Sequence, residues 1–270
     1  MIDGEVWLRS EGAEARILPD AGCRLGSLRA RGLELLRTEG ERPEEWGSYP
    51  MVPWVGRMGG ARFEFAGAVH EFPADAPPHA LHGLGYRAAW KQVAGDAGSA
   101  AFELALADPW PFAGRVEQTF TIRPDGLTTV LRIESDAEAF PAQAGWHPWF
   151  RRRLAVGEPL ELSFEPAWQE ERGPDHLPTG RRIPVAPGPR DDCYGTPGGL
   201  DATLLWPGAL RLRMTSDCAY TVVYDMPVDH VCVEPETGPP NGLTAPATHL
   251  VRPGEPLIAT TTWTWTSVGA

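Results

Sequence analysis

Two alternating runs joined by Pro124-Asp125-Gly126 constrain the fold of this chain more than any other segment. Val116, Gln118, Phe120 and Ile122 occupy one face of the first run, and Leu127, Thr129, Leu131 and Ile133 one face of the second. Successive side chains of an extended strand point to opposite faces, so a period of two buries one face and wets the other. A Pro-Asp-Gly turn between two such runs predicts an antiparallel hairpin. Similar runs recur at 5–9, 14–18, 63–72, 88–93, 100–107, 159–164, 210–214, 220–224 and 258–266. Amphipathic helical patterns are scarce. Many short strands, punctuated by 30 glycines and 28 prolines spread through 270 residues, predict an all-β sandwich or barrel. No fixed repeat and no shift in composition marks a linker, so 1–270 reads as a single domain. The stretch 166–199 shows no clear strand and reads as a long excursion over the surface.

Composition narrows the classes of function. Lys and Arg number 24 against 36 Asp and Glu, a formal charge of −12. That balance argues against nucleic acid or an anionic membrane as the main partner. The four cysteines, Cys23, Cys193, Cys218 and Cys232, have no C-x-x-C spacing. Cys218 and Cys232 sit in apolar runs and read as small buried hydrophobes. The N-terminus lacks the pattern of a secretory signal, and no apolar stretch approaches a membrane span. The expectation is a soluble, cytoplasmic setting.

Five segments could carry chemistry. In Val231-Cys232-Val233-Glu234-Pro235-Glu236 an acid ends an apolar run and a proline-rich loop follows. Few local donors surround such a carboxyl, which would raise its pKa toward that of a general base, although a solvated strand end has the same pattern. Around Arg57, prolines and glycines crowd one guanidinium beside Trp54, a setting suited to sugar hydroxyls and a sugar's apolar face. In His79-Ala80-Leu81-His82-Gly83 the two histidines invite a metal, but without a helix to stack them or a third ligand nearby no metal is expected. Gly83-x-Gly85-x-x-Ala88 lacks the strand and helix of a dinucleotide site. His147 lies between Trp146 and Trp149, where an apolar surround favours its neutral form. Asp191 and Asp192 beside Tyr194 could serve a ligand or simply a turn. No nucleophile elbow, P-loop or H-E-x-x-H is present.

In their order along the chain, these segments resemble the aldose 1-epimerase (galactose mutarotase) family. Pro53-Trp54-Val55-Gly56-Arg57-Met58 is similar to the family's segment ending in Asn-Arg-Ile, with Gly56 at the asparagine. Leu81-His82-Gly83 looks like its Leu-His-Gly, and His147-Pro148-Trp149-Phe150 like its His-Pro-Tyr-Phe. Asp191-x-x-Tyr194 is similar to Asp-x-x-Phe, with Asp192 an alternative match. Glu234-Pro235-Glu236-Thr237-Gly238-Pro239-Pro240 is similar to Glu-Pro-Gln-Thr-Gly-Pro-Pro, which places Glu236 at a glutamine.

The resemblance implies a β-supersandwich (galactose mutarotase-like) with an open carbohydrate cleft, interconverting the α and β anomers of a free aldose. It implies Glu234 as general base at the C1 hydroxyl and His147 as general acid at the ring oxygen. Arg57, His82 and Asp191 would hold the sugar, and neither a metal nor an organic cofactor is called for. His147 and Glu234 are then expected in one cleft, about a pyranose ring apart. Two alternatives remain open. A sugar 6-phosphate epimerase of the same fold would need a phosphate-holding cluster, for which Arg151-Arg152-Arg153 and Arg87 are candidates. A non-catalytic sugar-binding module would have no need of both Glu234 and His147.

Overall fold

The computed structural model describes residues 4–245 and 248–269. Two large antiparallel sheets dominate it. The eight-stranded sheet runs, in spatial order, through Lys91–Gly95, Ser99–Leu106, Gly114–Arg123, Gly126–Ser135, Leu257–Ser267, Leu210–Ser216, Leu200–Trp206 and Glu161–Phe164. The Pro-Asp-Gly hairpin is present as expected, with Arg123 facing Gly126 across the turn and ten pairs in register back to Gly114 and Ser135. The alternation is plain in the burial of Val116, Phe120, Leu127, Leu131 and Ile133. Each fully buried aliphatic or aromatic side chain contributes roughly 1.5–3 kcal/mol. Gln118 and Thr129 are the two polar residues on the apolar face, and both are buried. Gln118 donates to the Cys23 carbonyl at 2.7 Å and accepts from Trp146 Nε1 at 3.2 Å, which satisfies a buried amide and ties the two sheets together.

The eleven-stranded sheet begins Val6–Ser10, Ala13–Leu18, Arg24–Ala30, Ser48–Met51, with Leu33–Glu34 paired to one side. It continues through Gly145–Arg151, His230–Glu236, Tyr220–Tyr224, Asp191–Gly195, Trp168–Arg172 and Pro178–Ile183. One face packs on the smaller sheet: Phe150 meets Trp263 at 4.9 Å between ring centroids, and Val231, Val233 and Trp146 join the same buried cluster. The opposite face, at its centre, carries the site described below.

Two expectations are corrected. The stretch 166–199 is not a surface excursion without strands. Trp168–Arg172, Pro178–Ile183 and Asp191–Gly195 extend the large sheet from its Tyr220–Tyr224 strand. These strands are short, interrupted by Gly-Pro segments and partly wet, so no long alternating run announces them. Glu234 also does not end its strand, which continues through Pro235 to Glu236. Pro235 lies opposite Thr221 and contributes no N–H to the ladder. Among the described residues no helix is long and apolar enough to cross a membrane.

Candidate active site

Side chains alternate along His230–Glu236. Val231 and Val233 enter the core, while His230, Glu234 and Glu236 line a cavity of about 450 Å³ on the other face. That volume suits a small-molecule ligand. Next to this strand lies Gly145–Arg151, with Gly145 opposite Glu236 and Trp149 opposite Cys232. This register sets His147 beside Glu234. A side chain at Gly145 would strike the Pro235 carbonyl at 2.7 Å, so only glycine lets the two strands meet here.

The structure brings all five sequence-predicted site residues, Glu234, His147, Arg57, His82 and Asp191, to the walls of this one cavity. His147 Nε2 lies 3.3 Å from Glu234 Oε1. The imidazole is sandwiched between Tyr49, at 5.0 Å and 22°, and Trp149, at 5.1 Å and 15°, which fixes its plane. The expected separation of a pyranose ring is therefore incorrect. The reason is the register of the two neighbouring strands, which puts the two side chains side by side.

Electrostatics in the pair run against charge. Burial pushes the Glu234 carboxyl well above its usual range, a charge on Glu236 or Asp191 raises it further, and Arg57 opposes them. Burial pushes the His147 imidazole well below its usual value, with His82, Arg24 and His230 acting in the same direction. The two shifts favour one proton between the two groups, as a neutral pair or as carboxylate and imidazolium.

Arg57 opens a two-stranded pair, Arg57–Met58 with Ala80–Leu81, whose register places it across from Leu81. Gly56 before it has φ +55°, and a Cβ there would meet Pro240 Cγ at 2.7 Å. The asparagine of the related segments has no room against this Pro240. His82 has φ +60°, rare for a residue other than glycine, and its N–H donates to the Gly56 carbonyl at 2.8 Å. The ring stands edge-on to His147 at 5.0 Å, and burial, with Arg57 and Arg87, holds its pKa down to about 3. His82 is therefore a neutral hydrogen-bonding group. His79 turns elsewhere: it accepts from the Gly60 N–H at 3.2 Å on Nδ1, and Nε2 lies 3.0 Å from the Asp175 carbonyl.

Asp191 is bound by the Arg172 guanidinium, and Asp192 Oδ1 lies 3.8 Å from Arg172 Nε. Both acids line the cavity. Arg172, Glu170 and His176 belong to the stretch read from sequence as an excursion, and Arg37 and Glu236 also line the cavity without having been picked out. Alternation of Trp168, Glu170 and Arg172 was the one signal available for that wall. Cys232, His147 and Glu234 offer donor atoms within 4.8 Å of one another. Burial pushes the Cys232 thiol well up, away from the thiolate that a metal would need.

Comparison with known proteins agrees with this architecture. A galactose mutarotase-like protein from Clostridium acetobutylicum superposes with a TM-score of 0.85 at 16% identity, covering 97% of this chain and 95% of that one. The GalM/aldose epimerase homologue from C. elegans gives 0.83 at 17% identity, covering 98% and 99%. In sequence, the uncharacterized protein YphB of Escherichia coli K12 is 30% identical over 105 residues, 38% of this chain and 36% of the relative's own length. The family model for aldose 1-epimerase matches residues 6–197, well over half of the sequence, so the chain belongs to the aldose 1-epimerase family.

Proposed function

We propose that this protein is an aldose 1-epimerase that interconverts the α and β anomers of a free, uncharged aldose. The observation that carries the reading is the contact of His147 Nε2 and Glu234 Oε1 at 3.3 Å on the wall of a cavity shared with Arg57, His82 and Asp191. Ring opening takes a proton from the C1 hydroxyl and delivers one to the ring oxygen. With the shared proton on His147, Glu234 is the base and His147 the acid. The C1–O5 bond breaks, C1 becomes an aldehyde carbon, rotation about C1–C2 presents its other face, and closure returns both protons. Arg57 favours the Glu234 carboxylate, and His82 and Asp191 offer hydrogen bonds to sugar hydroxyls. Such acid–base placement contributes about 10²- to 10⁴-fold, enough for a reaction that already proceeds slowly in water.

The geometry favours a free sugar over a sugar phosphate. Arg151 Nε donates to the Leu36 carbonyl at 2.7 Å, and Arg152 donates to the Asp225 and Pro227 carbonyls at 2.8 and 3.0 Å. Arg87 pairs with Asp75 and Glu44 at 3.1 and 3.6 Å. Three of the candidate cations, Arg151, Arg152 and Arg87, are thus engaged with other protein groups and do not line the cavity, whose own walls carry more acids than arginines. Polarimetry of freshly dissolved α-D-glucose, α-D-galactose and glucose 6-phosphate tests the reading. Faster decay for a free sugar than for the phosphate is expected. Decay at the spontaneous rate for every sugar tried would refute catalysis.

A further inference from the structure

Glu236 lies two residues beyond Glu234, so strand alternation turns both side chains toward the same face. It lines the cavity yet is 0% exposed. Neither of its carboxylate oxygens has a hydrogen-bond partner among the described residues. The mechanism above makes no use of it. A buried carboxylate without donors takes up a proton rather than remain charged.

What surrounds the two acids differs. Glu234 has His147 Nε2 at 3.3 Å; burial and the charge of Asp191 disfavour its anion, and Arg57 favours it. Glu236 has the bare Gly145 opposite it on one neighbouring strand and Tyr220 on the other. A charge on Glu236 would raise Glu234, Cys193 and Cys218. Burial alone accounts for its own strongly raised pKa. A buried negative charge needs a polar partner beside it: Glu234 has one in His147 Nε2 at 3.3 Å, and Glu236, with none among the described residues, is the carboxyl that keeps a proton. Glutamine, which stands at this place in the related segments, would supply the same shape without a charge.

Building on the epimerase reading, we propose that Glu236 is a positioning residue that keeps its proton throughout turnover and so confines the negative charge of the site to Glu234. Ionised, it would place a second charge beside the base and draw the shared proton back onto Glu234, where it blocks abstraction from the C1 hydroxyl. The base is available only while its neighbour stays neutral.

Three measurements test this. Carboxyl ¹³C NMR of glutamate-labelled protein, assigned through the side chain to the backbone, should find Glu236 protonated at neutral pH; an ionised Glu236 would overturn the proposal. Melting of wild type and Glu236→Gln across about pH 5 to 8 should diverge. A carboxyl whose folded pKa is raised holds an extra proton in the native state. Its contribution is complete below the unfolded value of about 4.3 and is lost as pH rises toward the folded one. Wild type should therefore lose stability with pH more steeply than Glu236→Gln, and parallel curves would overturn the idea. In mutarotation, kcat/KM of Glu236→Gln should hold to higher pH than that of wild type, which should fall as Glu236 ionises. A loss as large as that of Glu234→Gln would make Glu236 the base and overturn the assignment. The first two readouts need no turnover, so a wild type without mutarotase activity would refute the function while leaving the carboxyl titration to be judged by itself.

Discussion

The hairpin 114–135 and the strand pair 145–151 with 230–236 are built from the same antiparallel geometry and present opposite sequences. In the hairpin one face is dry and the other wet, and burial alternates residue by residue. In the central pair nearly every residue is buried. One face there packs on the smaller sheet and the other encloses the cavity. Polarity no longer marks which way a side chain points, because the cavity face is as withdrawn from water as the core. The hairpin spends its polar side chains on solvent. The central pair holds His147, Glu234 and Glu236 away from it, at a cost in desolvation.

If that division of labour is real, substitutions in the two regions should affect different quantities. The largest expected effect is that of Glu234→Gln, a loss of about 10²- to 10⁴-fold in mutarotation. Its melting midpoint at neutral pH should be unchanged or higher, because the amide removes an acid that burial disfavours. A lowered midpoint with activity retained would invert the comparison. Next comes Phe120→Ala in the hairpin core, expected to cost about 3–5 kcal/mol in denaturant unfolding. Activity per folded molecule should be unchanged, since Phe120 lies in the inter-sheet core and does not line the cavity. The smallest is Glu117→Gln on the wetter face of the same strand, expected within about 0.5 kcal/mol of wild type. A large effect there would mean that this face has a partner of its own.

The same contrast explains what could be read in advance. Val116 to Ile133 announced their hairpin because water lies on one side of it. The strand at Leu257–Ser267 was legible for the same reason, within one residue at each end. Arg24–Ala30, buried on both faces over most of its length, gave no alternation to read. The candidate site was legible as a set of residue types in order, and the five named side chains do meet in one cavity. Their distances were not legible. The contact between His147 and Glu234 depends on Gly145 letting two strands close, and on Tyr49 and Trp149 clamping a ring. The resemblance places Glu236 at a glutamine, which gives it no role of its own. Only the absence of any partner around its carboxyl shows what that difference entails.

The register of the central pair, Gly145 to Glu236 and Trp149 to Cys232, has a consequence for how the protein would report its own folding. A slip of one residue would exchange the two faces of His230–Glu236, driving Glu234 into the hydrocarbon interior and Val233 into the cavity. No intermediate arrangement keeps half the site. Recovery of mutarotation after dilution from denaturant should therefore behave as a yes-or-no signal for correct pairing between strands some eighty residues apart in sequence, appearing only after the slower, long-range step of assembly.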